Sequence, residues 1–333
     1  MLLSIEKTWT PSASEWDDAW THCPYSTYFH SREWAEIWAE YSHGKITPAP
    51  MGVTLSDGTQ IILPFSQQTL FKGLSRQFIS SPAGAFGGWL AKCPLDEHYQ
   101  AVLMKWITKQ CPDLIWRFNP YEQVLHPAGI GCITNSETHV LELSGGFESI
   151  YRGWTKGHSS AARQARKAGV EIDFAESQED WENYFHVYED SLKRWGENTT
   201  MAYTQHFFEL LFLRASPNVR LWLAKYDGLV IAGAICFYSP SHVVYWHGAA
   251  LSSHFELRPV HLLMYDAIKD ATERGFKWFD FNPSGELEGV KAFKRSFGAT
   301  PLESNVWSVT STKQQLIKSI WTSLRWVSKG GRE

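Results

Sequence analysis

The sequence has no run of about eighteen consecutive apolar residues, the length a membrane-crossing helix needs. Glu6 and Lys7 interrupt its first segment, which therefore reads as neither a signal peptide nor an anchor, and a cytoplasmic protein is expected. Cysteine is scarce: Cys23, Cys93, Cys111, Cys132 and Cys236 are an odd number, without a CxxC pair or a Cys/His spacing suited to a metal. Reduced thiols are expected, with no disulfide framework, no metal site and no bound cofactor. Basic charge is not in excess either. A formal net charge of −4 argues against a protein that coats nucleic acid, so DNA is not an expected partner, while a local basic site stays open.

What is present is apolar and aromatic. With 333 residues, 44% of them hydrophobic, the chain can bury a large core and divide into two domains. The 17 tryptophans are read as core, with the lining of a substrate groove as the alternative. Strand-like runs meet at Asp57-Gly58 and again at Asp227-Gly228, each the signature of a β-hairpin. Downstream of each, a helical stretch leads to a short apolar strand closing on Asn-Pro, at Asn119-Pro120 and Asn282-Pro283. The paired landmarks recur in one order at an offset of about 165 residues, which points to internal duplication. Residues 1–143 and 144–310 are the expected lobes, with 311–333 a separate tail.

The second copy is clearer. Val260, Leu263, Met264, Ala267, Ile268 and Ala271 trace one buried helix face, with Pro259 suited to the first turn and Gly275 to the stop. A strand over 276–281, a helix over 286–297 and a strand over 302–309 follow. The resulting order βααβββαβαβ is that of acetyltransferase-type (GNAT) folds. The expected class is α/β (α+β): tandem duplicated GNAT-like lobes, each a central mixed sheet flanked by helices.

The run Lys291-Ala292-Phe293-Lys294-Arg295-Ser296-Phe297-Gly298, one helix after Phe279-Asp280-Phe281, resembles the FemABX family of peptidoglycan peptidyltransferases and their acetyltransferase-like relatives. Phe29-His30-Ser31-Arg32-Glu33-Trp34, Ala85-Phe86-Gly87-Gly88 and Arg163-Gln164-Ala165-Arg166-Lys167-Ala168 extend the resemblance from about Phe29 to Val309. It implies transfer of an acyl or aminoacyl group to an amine, with aminoacyl-tRNA as donor in the peptidoglycan members. It also implies that Lys294, which follows the phenylalanine, stabilises the reaction intermediate. The long helical arm of the bridge-building enzymes is absent from this sequence.

Read from the residues, an α-helix turning Val290, Phe293 and Phe297 inward leaves Lys291, Lys294 and Arg295 on an adjacent basic stripe. A fixed cation there could hold the oxyanion formed when an amine attacks an ester or thioester; the alternative is a solvated helix face. Arg163, Arg166 and Lys167 share a face of another helix, beside Arg152 and Lys156, and suit a diphosphate or an RNA backbone. Asp280 and Asn282, at the carboxyl end of the crossover strand, stand where α/β sheets place ligands. Tyr245 and His247 are expected on one side of the last meander strand by its two-residue period, with Asp280 and His247 as candidate proton carriers. A coenzyme A donor usually leaves a glycine-rich loop before the long helix. Here that stretch reads Phe255-Glu256-Leu257-Arg258-Pro259, without glycine and with Arg258 as a partial substitute, which puts aminoacyl-tRNA level with or above acyl-coenzyme A and leaves both as candidate donors. The amine acceptor stays unnamed, and a binding protein without catalysis is the alternative of another class. The tail places Leu316, Ile317, Ile320, Trp321, Leu324 and Val327 at helical spacing among Lys313, Lys318, Arg325, Lys329 and Arg332. It reads as a helix packed on the second lobe, with a peripheral contact to an anionic membrane as the alternative.

Overall fold

The structure, a computed structural model, describes residues 3–125, 129–196, 202–214, 217–285 and 287–329. The chain divides into two compact units, Met1–Ser136 with Glu303–Glu333, and Glu137–Leu302. The first opens with β1 (Ile5–Trp9), α1 (Ala13–His22) and α2 (Arg32–Tyr41). Next come β2 (Ile46–Pro48), β3 (Met51–Leu55), β4 (Gln60–Leu63), β5 (Ser66–Leu70), β6 (Ser75–Ile79), α3 (Glu97–Gln110), β7 (Leu114–Arg117) and β8 (Cys132–Thr134). Short polar side chains set the helix starts: Ser12 makes a capping box with Glu15, Ser31 accepts from the Trp34 N–H, and Asp96 caps α3.

The second unit runs β9 (Glu137–Glu142), α4 (Phe147–Arg152), α5 (Lys156–Lys167), β10 (Glu171–Phe174), α6 (Gln178–Trp195) and α7 (Gln205–Leu213). The meander β11 (Val219–Tyr226), β12 (Leu229–Tyr238) and β13 (His242–Ala250) precedes α8 (Pro259–Glu273), β14 (Trp278–Asp280), α9 (Glu288–Arg295) and β15 (Thr300–Glu303). Asp227 and Gly228 both take positive φ, 48° and 77°, as a two-residue hairpin turn with the twist of its strands requires. The chain then returns to the first unit with β16 (Val306–Val309) and α10 (Thr312–Lys329).

The second unit is built on a seven-stranded sheet of order β10-β11-β12-β13-β14-β9-β15. The first has a three-stranded sheet β1-β3-β4 and a six-stranded sheet β2-β5-β6-β7-β16-β8, separated at Pro64, which has no N–H to give a ladder. Both units repeat one motif: β6 pairs parallel with β7 and β13 with β14, and the later strand of each pair then meets an antiparallel neighbour, β16 or β9. Among the described residues, Trp16, Trp34, Trp38, Trp89, Trp116, Trp154, Trp181, Trp222 and Trp307 belong to the core, whereas others such as Trp246 and Trp321 are only half-buried. Trp34, Trp89, Trp116 and Trp307 are fully buried, and Trp116 and Trp307 donate to the carbonyls of Gly87 and Ile130.

Three sequence expectations meet a different arrangement. The strand expected over 302–309 is two strands, broken where Ser304 N–H donates to the Ser136 carbonyl and the Asn305 side chain accepts from Ser136 N–H. Residues 137–142, placed in the first lobe by the 143/144 boundary, form β9 and pair with Trp278–Asp280 of the second unit's sheet. The tail helix lies in the first unit rather than on the second lobe, with the Trp321 ring 6.1 Å from Phe71. Among the described residues, no helix is long and apolar enough to cross a membrane, and no cluster of His, Cys, Asp or Glu is suited to a metal.

Candidate active site

The parallel ladder between β13 and β14 begins at His242–Trp278 and stops at Val244–Asp280, although β13 runs on to Ala250. Beyond Asp280 the chain turns away, and Asn282 takes a left-handed φ of 62°, unusual for a residue with a Cβ. The Asp280 carboxylate, wholly buried, fixes that turn: Oδ1 accepts the Asn282 N–H at 2.6 Å and the Thr138 hydroxyl of β9. His242 Nε2 lies 3.6 Å from Asp280 Oδ2.

Into this turn comes Lys294 from α9, only 4% exposed, its Nζ donating to the Asn282 carbonyl oxygen. Burial pulls the Lys294 amine down from its usual range to about 8, and the nearby Asp280 charge opposes that fall. An ammonium has three N–H donors, so further donors remain beyond the one spent on Asn282. The stripe expected along α9 is reversed in its details: Lys294 is the helix's buried residue, whereas Val290 is 40% exposed. Lys291 is half-buried and pairs with Glu288 at 3.1 Å and Glu137 at 3.7 Å, and Arg295 is exposed beside Glu288.

Sequence reasoning missed His139. It lies buried on β9, its carbonyl accepts the Phe281 N–H at 2.9 Å, and its Nδ1 has no hydrogen-bond partner among the described residues. Burial first, then the Lys294 charge, lowers its pKa, so the imidazole is neutral and able to accept a proton. A lobe boundary at 143/144 hides its signal, since it places the strand that carries His139 in the other lobe.

Tyr245 and His247 do not share a side. The register between β12 and β13 slips between Ile235 and Cys236, so Cys236 faces Tyr245 while Ile235 faces His247; the extra residue, Trp246, is a bulge that puts its neighbours on opposite faces. Tyr245 turns to the core face, 6.3 Å from Phe281, and burial pushes its hydroxyl pKa up. His247 turns toward α6, where the Tyr184 hydroxyl meets its Nδ1 at 2.6 Å and Tyr188 stands 4.7 Å away. Burial holds His247 near a pKa of about 3, so it is neutral, with Tyr184 rather than Lys294 or Asp280 as its partner.

The basic group on α5 borders a cavity of about 460 Å³, lined by Arg163, Arg166 and Lys167 with Tyr151, Leu262 and Tyr265 among others. Arg166 is neutralised by Asp266 at 2.7 Å and stacks its guanidinium over Tyr265. Arg163 meets only the Tyr151 hydroxyl, leaving it and Lys167 as the uncompensated cations of this wall among the described residues. At the start of α8, Arg258 itself adopts the left-handed conformation, φ 56°, that a glycine loop would otherwise supply. The His261 and His158 rings meet edge to face beside it, their centroids 4.6 Å apart, and burial lowers His261 to about 4.

Residues 155–295 match the family described as an acetyltransferase (GNAT) domain, a span that contains α5, α8 and Lys294. Among curated proteins the chain is similar to the lipid II:glycine glycyltransferase of Staphylococcus haemolyticus (strain JCSC1435), at 34% identity over 84 residues, or 23% of this chain and 20% of that protein. The chain thus spans about a fifth of the length of that curated relative. Among solved structures it is similar to FemX, with a TM-score of 0.72 at 14% identity, covering 95% of this chain and 100% of the other. It is similar also to L-PGS from Bacillus licheniformis, with a TM-score of 0.55 at 11% identity, covering 88% and 96%. At such identities the likeness speaks for the fold, which is mixed α/β and GNAT-like.

Proposed function

Starting from a FemABX-like chain with a GNAT-type second unit, we propose that the protein is a cytoplasmic transferase that moves an aminoacyl group from aminoacyl-tRNA to an amine of a cell-envelope or sugar-linked precursor. The observation that carries this reading is Lys294, buried at the mouth of the split between β13 and β14 with N–H donors to spare. When the acceptor amine attacks the ester carbonyl a C–N bond forms and negative charge gathers on the carbonyl oxygen, which the Lys294 ammonium holds. Collapse breaks the ester C–O bond, and the proton lost by the amine goes to the leaving ribose oxygen. The neutral imidazole of His139 is suited to relay it. Asp280 is a positioning residue here, since Thr138 and Asn282 occupy its Oδ1 and its charge balances Lys294.

Arg163 and Lys167 suit the phosphates of the donor. Acyl-coenzyme A is the second reading, favoured by one observation: Arg258 keeps the backbone turn before α8 without the glycines. The deciding experiment follows transfer of a labelled amino acid from charged tRNA, or of acetyl from acetyl-coenzyme A, to envelope precursors bearing a free amine. Transfer from tRNA that is lost on replacing Lys294 with Met is expected. Absence of transfer from either donor, with intact binding of the precursor, would leave the non-catalytic binding protein as the answer.

A further inference from the structure

The hairpin between β5 and β6 ends in Phe71-Lys72-Gly73-Leu74, where Phe71, Lys72 and Gly73 all take positive φ and Leu74 is 62% exposed. Beside it lies α10, which turns Trp321 toward Phe71 and leaves Leu316 and Ile320, one turn apart, 62% and 53% exposed. A cavity of about 350 Å³ runs between the two elements, lined by Gly73, Leu74, Ser75, Arg76, Asp113, Lys313 and Gln314. Its single acid, Asp113, is occupied by the N–H and hydroxyl of Ser311. Arg76, Lys313 and Lys318 have no acidic partner among the described residues, and Lys72 stands over the Trp321 ring. No acid occurs in the sequence of α10.

We infer that this hairpin tip and α10 together form a docking surface for an anionic phospholipid bilayer. Exposed Leu74, Leu316 and Ile320 would enter the interface, with Arg76 and Lys313 taking a lipid phosphate in the cavity between them. An exposed apolar stripe costs solubility unless something covers it. The unpaired cations beside it match a negative surface, and the attraction of each adds to the apolar burial. The inference goes beyond the transfer reaction and stands without it.

The test is sedimentation of the full chain with vesicles of phosphatidylglycerol and phosphatidylcholine, against vesicles of phosphatidylcholine alone, at low and high salt. Binding to the anionic vesicles that weakens as salt rises is expected. The pair Arg76→Glu with Lys313→Glu should weaken it by about tenfold or more, and the pair Leu316→Ser with Ile320→Ser should abolish it, each with unchanged circular dichroism. Equal binding to both vesicle types, or variants that bind as wild type does, would overturn the inference. So would a dimer in light scattering that the Leu316/Ile320 pair dissolves while vesicles leave the protein in solution, because a second copy would then be the occupant.

Discussion

A buried lysine cannot be removed as if it stood on a surface. Lys294 offsets the Asp280 carboxylate, which is wholly buried, and holds the carbonyl of a residue in left-handed conformation. Truncating it to Ala removes the positive charge near Asp280 and leaves the Asn282 carbonyl without its donor, so stability falls along with any catalytic role. Loss of activity in Lys294→Ala is therefore ambiguous. The informative variant is Lys294→Met combined with Asp280→Asn, which removes both charges at nearly constant volume. We expect it to regain most of the melting temperature lost by Lys294→Met alone while turnover stays at least about 10²-fold down. Recovery of turnover along with stability would mean that Lys294 serves only the fold. The pH dependence separates the roles again. The folded pKa of about 8 lies below the ordinary 10.5, so between these values the unfolded chain binds the extra proton and stability rises with pH. Below pH 8 the full burden remains, about 3 kcal/mol from this group. On the proposed role turnover depends on the ammonium and should instead fall above about pH 8, and the opposite slopes of kcat and melting temperature are the check. Glu122, in the first unit, runs in the other direction. Buried, with Oε1 accepting the Trp89 indole N–H, it is raised from 4.5 to about 8. Its contribution to stability is complete below pH 4.5 and is lost as pH rises toward 8, so Glu122→Gln should flatten the decline in melting temperature across that window.

Elements were legible where periodicity was unbroken. The α8 stripe with its Pro259 start reads directly from the sequence, and the helix runs Pro259–Glu273 as the spacing predicts. Two devices hid the rest. The bulge at Trp246 adds a residue inside an otherwise unbroken apolar and aromatic run, and so reverses which side His247 faces. On α9 a lysine takes the inward position, which a pattern of apolar residues cannot reveal: the inward face is set by the carbonyl of Asn282 and the charge of Asp280, both outside the helix whose pattern is read. Packing between elements carries its own test. A Cβ on Gly233 of β12 would stand 2.4 Å from the Tyr184 ring of α6, the ring whose hydroxyl meets His247. Gly233→Ala should thus cost about 1–3 kcal/mol in urea unfolding and displace Tyr184. A variant as stable as wild type, with an unchanged tyrosine environment in near-ultraviolet circular dichroism, would show that α6 yields easily.

At the scale of the molecule, the duplication was readable because the Asp-Gly turns and Asn-Pro strand ends are local signals. The division of strands was not, because it depends on pairing. β8 and β9 are consecutive in sequence yet belong to different sheets, as do β15 and β16. A boundary drawn at 143/144 therefore severs β9 from the sheet it completes, and with it Thr138 and His139 from the neighbourhood of Asp280 and Lys294. That cut has a measurable consequence. A fragment of residues 144–310 lacks the antiparallel neighbour of β14, leaves the Asp280 carboxylate short of the Thr138 hydroxyl, and carries β16 without β7 or β8 to pair with. Exposed strand edges and an under-satisfied buried charge both favour aggregation or a loosely packed state. A fragment of residues 137–304 keeps all seven strands of the sheet and both partners of Asp280 Oδ1. We expect the longer-sheeted fragment to unfold cooperatively in urea and to show dispersed amide resonances, and the 144–310 fragment to do neither. If the two unfold alike, β9 is an accessory to the second unit, and the placement of His139 beside Lys294 loses its claim to be part of the chemistry.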